Sequence, residues 1–198
     1  MLNKLVIASG NAGKLREIQQ LLAPLKIEVL PQSAFNIAEA DEPHCTFVEN
    51  ALTKARHASL HSGLPALADD SGICVDALKG KPGVHSAYFG GEPRSDEKNN
   101  QTLLNALVKE TRRAAHYYCA LVFVRSHDDP QPIIAEGIWA GEILIEPRGA
   151  GGFGYDPLFM DLNLGKTGAE LDLEVKNQIS HRGQALRQLI DKLKNLQD

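Results

Sequence analysis

Two adjacent carboxylates, Asp69 and Asp70, stand in the stretch Ala66-Leu67-Ala68-Asp69-Asp70-Ser71-Gly72. The apolar run Leu64 to Ala68 leads into them, and Ile73-Cys74-Val75 follows. Branched residues, with Gly63 and Pro65 at the edge, predict buried strands on both sides and place the acids at a strand end. A charge there is costly unless a partner compensates it. Neighbours on a strand point to opposite faces, so Asp69 and Asp70 are expected to do different jobs. One can serve a site while the other caps local backbone donors. An Asx-type turn with both acids solvated is the plain alternative.

Cations and glycines elsewhere give the acids something to work with. Leu5 to Ala8 predicts a short buried strand, and Ser9-Gly10-Asn11-Ala12-Gly13-Lys14 leads from it into a helix. Leu15, Ile18, Leu21 and Leu22 share one face of that helix, and Pro24 stops it. Strand, glycine-bearing turn and helix form the usual setting for anion binding by free backbone N–H groups. The spacing is not that of a P-loop, which has two more residues between its glycines and a Ser or Thr where Leu15 stands. Lys14 lies in the first helical turn, where the macrodipole disfavours a cation by up to ~1 kcal/mol. A bound polyanion reverses that sign; a solvated surface lysine needs no such partner. His181 and Arg182, at the start of the last helix, repeat the mismatch.

Several further elements are legible. Ile27 to Leu30 predicts a second strand, and a polar loop with Glu39, Asp41 and Glu42 runs on to Cys45. Thr46 and Glu49 form a capping-box pair for a helix that ends at Gly63. Its apolar side is Phe47, Val48, Ala51, Leu52, Ala55 and Ala58, while Asn50 and Lys54 share another face. Ser95 or Asp96 opens a helix with Leu103, Leu104, Leu107 and Val108 inside. Tyr117 to Val124, Ile133 to Trp139 and Ile143 to Ile145 predict an antiparallel meander in a mixed sheet. Gly149 to Gly154 matches G-x-G-x-x-G, but Tyr155-Asp156-Pro157 cannot continue a helix, so it reads either as a ligand-facing loop with Phe153 as a stacking face or simply as a flexible glycine loop. Thr167 and Glu170 suggest a capping box ahead of Leu171, Leu173 and Lys176. Ser180 is a natural N-cap for a final helix whose core face is Ala185, Leu186, Leu189, Ile190, Leu193 and Leu196.

Composition sets the outer limits. The chain has 198 residues, 43% of them hydrophobic and 23% charged, which fits one ordinary globular domain. A net charge of −4 argues against general affinity for nucleic acid or anionic membrane. No apolar run approaches membrane-spanning length, and the N-terminal run is too short for a signal sequence. Cys45, Cys74 and Cys119 are scattered and show no paired metal spacing, in keeping with a reduced cytoplasmic setting. Separated lysines with glycine loops suit a polyphosphate, and carboxylates beside one make sense around a hard divalent cation. The residues themselves lead to a metal–nucleotide site of hydrolytic type, and neither a Ser-His-Asp nor a Cys-His nucleophile has its local context here.

Five stretches occur in a telling order: Ser9-Gly10-Asn11-Ala12-Gly13-Lys14, Phe47-Val48-Glu49-Asn50-Ala51, Ala68-Asp69-Asp70-Ser71-Gly72, Gly152-Phe153-Gly154-Tyr155-Asp156-Pro157 and Ser180-His181-Arg182-Gly183. Together they resemble the non-canonical purine nucleoside triphosphate pyrophosphatases, the inosine/xanthosine triphosphatase family, over nearly the whole chain. The resemblance implies an α/β, two-lobed fold around a long mixed β-sheet flanked by helices. It further implies a single domain over 1–198, with the active site in the cleft between its lobes. A cytoplasmic homodimer using Mg²⁺ is implied as well, turning dITP, ITP and XTP into monophosphate and pyrophosphate. By position, Asp70 is the expected proton acceptor and metal ligand, with Glu42 a second ligand. Ser9, Gly10, Asn11, Ala12, Gly13, Lys14, Lys54, Ser71 and Lys176 match triphosphate- and substrate-contacting positions. Phe153, Gly154, Tyr155, Asp156, His181 and Arg182 match the base and sugar end. Two positions depart from the pattern: His44 stands where the family often has Gly, and Tyr88 where it usually has Arg. A nucleotide-binding regulatory module without turnover, and a pyrophosphatase for modified pyrimidine or methylated nucleotides, are the rival readings.

Overall fold

The computed structural model describes residues 2–194. In chain order the regular elements are β1 (Lys4–Ala8), α1 (Ala12–Leu22), β2 (Glu28–Pro31), α2 (Phe47–Ser62), β3 (Ala66–Val75) and α3 (Asp96–Ala106). Then come β4 (Ala114–Val124), β5 (Ile133–Ile143), β6 (Phe159–Asp161), β7 (Lys166–Thr167), α4 (Leu173–Ile179) and α5 (His181–Lys194). The strands form one sheet in the order β2-β1-β3-β4-β5-β6-β7. β1 runs parallel to both β2 and β3, whereas β6 is antiparallel to β5 and β7, so the sheet is mixed as expected. The fold is α/β.

The chain divides into two compact units. One comprises Met1–Asp70, Cys119–Gly137 and Arg182–Asp198, the other Ser71–Tyr118 and Ile138–His181. In the first, strand alternation on β1 decides what packs where. Leu5 and Ile7 join Ile18 and Leu22 of α1 and Leu186 and Leu189 of α5 in one core. Val6 and Ala8 point the other way, onto Ala51, Ala55 and Ala58 of α2. The small residues on α2 let it lie close to the strands. Its ends follow the sequence signals: the Thr46 hydroxyl accepts the Glu49 N–H, and Gly63 closes the helix at φ 68°. The second unit has its own core of Ile73, Val75, Leu103, Leu107, Tyr117, Trp139, Ile143 and Phe159.

Five expectations need correction or a limit. The acids do not sit at a strand end: β3 runs unbroken from Ala66 to Val75 with Asp69 and Asp70 in its middle. β5 likewise runs on through Gly141 and ends at Ile143, so Ile143 to Ile145 is no separate strand; at Gly141 a Cβ would meet the Met160 carbonyl of β6. Val108 lies beyond α3 and is exposed. Thr167 belongs to β7, and Glu170 accepts its N–H in a tight turn, so the helix starts only at Leu173, after Asp172. Leu196 lies outside the described residues. No helix among the described residues is long and apolar enough to cross a membrane.

Candidate active site

β3 delivers its two acids into different company. Asp69 is buried and meets two cations from distant parts of the chain. Lys14, in the first turn of α1, pairs with its Oδ1, and Arg182 Nε lies 3.0 Å from its Oδ2. The Cys119 thiol of β4 donates to the same Oδ2 at 3.1 Å. Arg182 also pairs with Glu17 of α1, itself buried. Burial alone would raise the Asp69 carboxyl, but Arg182 and Lys14 overcome it and hold the group well below the usual carboxylate range. The helix-start mismatch at Lys14 is thus answered inside the protein.

Asp70 faces α2. Lys54 Nζ lies 2.9 Å from its Oδ1, and the Asn50 amide, one turn earlier, lies 3.4 Å from its Oδ2. The face shared by Asn50 and Lys54 is therefore the one that meets the acid. Lys54 also reaches Glu42 Oε2 at 3.1 Å, so one ammonium is gripped by two carboxylates. The loop bearing Glu42 is tied to α2 through His44, whose N–H donates to Asn50 Oδ1 at 3.0 Å while its carbonyl accepts from Asn50 Nδ2 at 3.1 Å. Burial, against the pull of Lys54 and with the push of Glu42, raises the Asp70 carboxyl to about 6. Glu42 is also desolvated, but Lys54 and the hydrogen bond with Asp70 take it below its ordinary value. Lys54 moves up: the carboxylates of Asp70 and Glu42 outweigh burial.

The turn after β1 is built around a cap. Asn11 Oδ1 accepts the N–H groups of Gly13 at 2.9 Å and Lys14 at 3.0 Å, and Ser9 Oγ accepts from Asn11 N at 3.2 Å. Those two first-turn donors are committed to the cap. The exposed Glu39 carboxylate lies against Gly10, where a Cβ would stand. Ala12 opens α1, and Ser71 follows Asp70 on β3, half-buried.

A second group gathers in the other unit. After Gly149 to Gly154 no helix follows, as expected, and Gly152 and Gly154 take φ values of 73° and 64°. Asp156 Oδ2 accepts the Phe153 N–H at 2.8 Å and the Lys176 ammonium at 2.6 Å. Lys176 in turn stands 4.6 Å from the centre of the Phe153 ring, a cation–π distance. The Tyr155 hydroxyl donates to the Ser86 carbonyl at 2.8 Å. His181 stacks on Tyr117, with centroids 4.7 Å apart and planes 7° from parallel.

Phe153, Asp156 and Lys176 therefore come together, and Lys54 joins Asp70 and Glu42. Arg182 does not follow its neighbour His181: its guanidinium lies between Glu17 and Asp69. Sequence reasoning left out Glu17, Asn50 and Cys119 as members of these groups. Glu17 carried a signal, since it lies three residues from Lys14 on the same helix. Among the described residues no group of three or more His, Cys, Asp or Glu side chains stands ready for a metal. The pair Glu42 and Asp70 offers carboxylate oxygens already closed around a positive charge, and that donor set fits a hard divalent cation.

The chain has clear relatives. A family model described as the Ham1 family matches residues 5–192. A protein of Nitrosomonas europaea named dITP/XTP pyrophosphatase is 64% identical over 97% of this chain and 95% of its own length. One of the same name from Aromatoleum aromaticum is 61% identical over 98% of both. Among solved structures, a HAM1 protein from Coxiella burnetii superposes with a TM-score of 0.91 at 46% identity, covering 98% of this chain and 99% of that one.

Proposed function

The chain belongs to the Ham1 family, and from that premise we propose that it hydrolyses non-canonical purine nucleoside triphosphates. The substrates are dITP, ITP and XTP or dXTP, and the products are the nucleoside monophosphate and pyrophosphate. Water attacks the α-phosphorus, the bond from that phosphorus to the bridging oxygen breaks, and pyrophosphate leaves with the bond's electrons. The observation that carries this reading is Asp70, a buried carboxylate between Lys54 and Asn50 with a raised proton affinity. Such a group is suited to take the proton of the attacking water near neutral pH. Asn50 and Lys54 fix its orientation.

Glu42 and Asp70 would hold Mg²⁺, which when bound neutralises charge on the phosphates. Lys54 and Lys14 serve the triphosphate, with the turn from Ser9 to Lys14 and with Ser71. Phe153 offers its ring to the base, and Gly154, Tyr155, Asp156, Lys176 and His181 serve the base and sugar end. Arg182 belongs to the substrate-binding set through the charge group it anchors. The 198 residues act as a single domain in the cytoplasm, as a homodimer, with neither nucleic acid nor membrane as partner.

A panel of nucleotides with Mg²⁺ tests the reading. dITP, ITP and XTP should be turned over far faster than ATP, with pyrophosphate as the first product. Orthophosphate as first product would sink the α-phosphorus assignment, and binding without turnover would make the chain a regulatory module.

A further inference from the structure

The loop that carries Phe153 has no regular structure of its own, yet both backbone polar groups of the next residue, its N–H and its C=O, are held by one helix. Asp96 Oδ2, on the first turn of α3, accepts the Gly154 N–H at 2.7 Å. Asn100, one turn on, donates from Nδ2 to the Gly154 carbonyl at 2.8 Å and to the Asp96 carbonyl at 2.9 Å. Both contacts of the amide nitrogen are carbonyls, which fixes the direction of the side chain. Asp96 and Asn100 stand four residues apart, so a helix presents them on one side, within reach of the N–H and C=O of a single residue.

The arrangement carries a local penalty. With the nitrogen committed to two carbonyls, Asn100 Oδ1 is buried without a hydrogen-bond partner among the described residues. A buried acceptor left unmatched destabilises a fold, and Asn is a poorer helix former than Ala. Packing alone would favour a small apolar residue here. We infer that Asp96 and Asn100 are positioning residues for the proposed reaction, holding the Gly154 peptide so that Phe153 is presented ready to stack on a purine base. A ring held in place before binding loses less freedom when the base arrives, so the benefit falls on substrate affinity. The chemistry at Asp70 is untouched.

This inference rests on the reading of Phe153 as the base-stacking ring, and one set of variants separates the two. Asn100→Ala should raise KM for ITP about ten-fold with kcat within about two-fold of the parent, the size of one lost hydrogen bond to the loop. Its melting temperature should stay level or rise, because the unmatched oxygen goes with the side chain. Asn100→Asp, which keeps the volume but turns the donor into an acceptor facing two carbonyls, should raise KM at least as much. Phe153→Ala is the control and should raise KM for ITP on its own. If it does so and neither Asn100 variant does, the clamp assignment is wrong. A fall in melting temperature that tracks the rise in KM marks Asn100 as a structural prop and also overturns it. Phe153→Ala with unchanged KM defeats the base-stacking reading, and the clamp with it.

Discussion

Asp69 and Asp70 are one peptide bond apart on β3, and their surroundings have opposite effects. Around Asp69 the charges are matched: Lys14 and Arg182 face Asp69 and Glu17, and Cys119 adds a thiol donor. Around Asp70 two carboxylates share the single ammonium of Lys54, and Glu42 is half-exposed. The first region pulls a carboxyl below its ordinary range, and the second lifts one to about 6. Both are desolvated, so burial does not separate them. What separates them is whether the cations outnumber the competing acids. A saturated carboxylate holds the structure, and an undersupplied one is left with proton affinity to use.

Asp69→Asn should break this comparison most heavily. It leaves buried cations short of an anion, at a cost of about 4 kcal/mol, or on the order of 10 °C in melting temperature for a chain of this size. Thermal unfolding measures it directly; a change within a degree would show that Arg182 and Lys14 do not depend on Asp69. Asp70→Asn should do the reverse, cutting kcat for dITP by a factor on the order of 10² or more while the melting temperature holds. Near-parent activity in that variant would remove Asp70 as the proton acceptor.

The third test is subtler and concerns the sign of a pH dependence. Asp69 titrates lower folded than unfolded, so its support for the fold is present above about pH 4 and is lost as pH falls below. Asp70 titrates higher folded, so its support is full below about pH 4 and is lost as pH rises through about 6. In chelator-treated protein, urea midpoints at pH 4 and pH 7 should therefore move oppositely. Asp69→Asn should become relatively more costly at pH 7, and Asp70→Asn relatively less. Parallel trends in the two variants would erase the distinction between the regions.

What could be read from the chain beforehand follows the reach of each interaction. The face of Asn50 and Lys54, the Thr46 cap and the Gly63 stop were legible because they depend on residues a turn or so apart. That Asp69 and Asp70 face different partners followed from strand alternation alone, whereas the expected cap on local backbone donors is replaced by side-chain cations. Lys14 was visible as an electrostatic oddity, yet its partner was not, since Asp69 arrives by the pairing of β1 with β3. Arg182 was harder still. Its position suggested company with His181, whereas its side chain answers Glu17 from the far end of the chain. The grip of Asp96 and Asn100 on Gly154 left no trace in the sequence pattern, because a backbone peptide is the same whatever residue carries it. The acids seemed to end a strand because charge is rare inside one; matched cations remove that objection.

Lys14 and Arg182 set two positive charges against the two negative charges of Asp69 and Glu17. Dissolved ions gather around a net charge, and buried pairs are screened far less than exposed ones. Added salt therefore finds little there to loosen. Around Asp70, Lys54 leaves one negative charge unbalanced once both acids are ionised, and Glu42 opens that group to solvent. Ionic strength should thus act on the two neighbours unequally, less on the ion pairs around Asp69 than on the group of Asp70, Lys54 and Glu42 to which the chemistry is assigned.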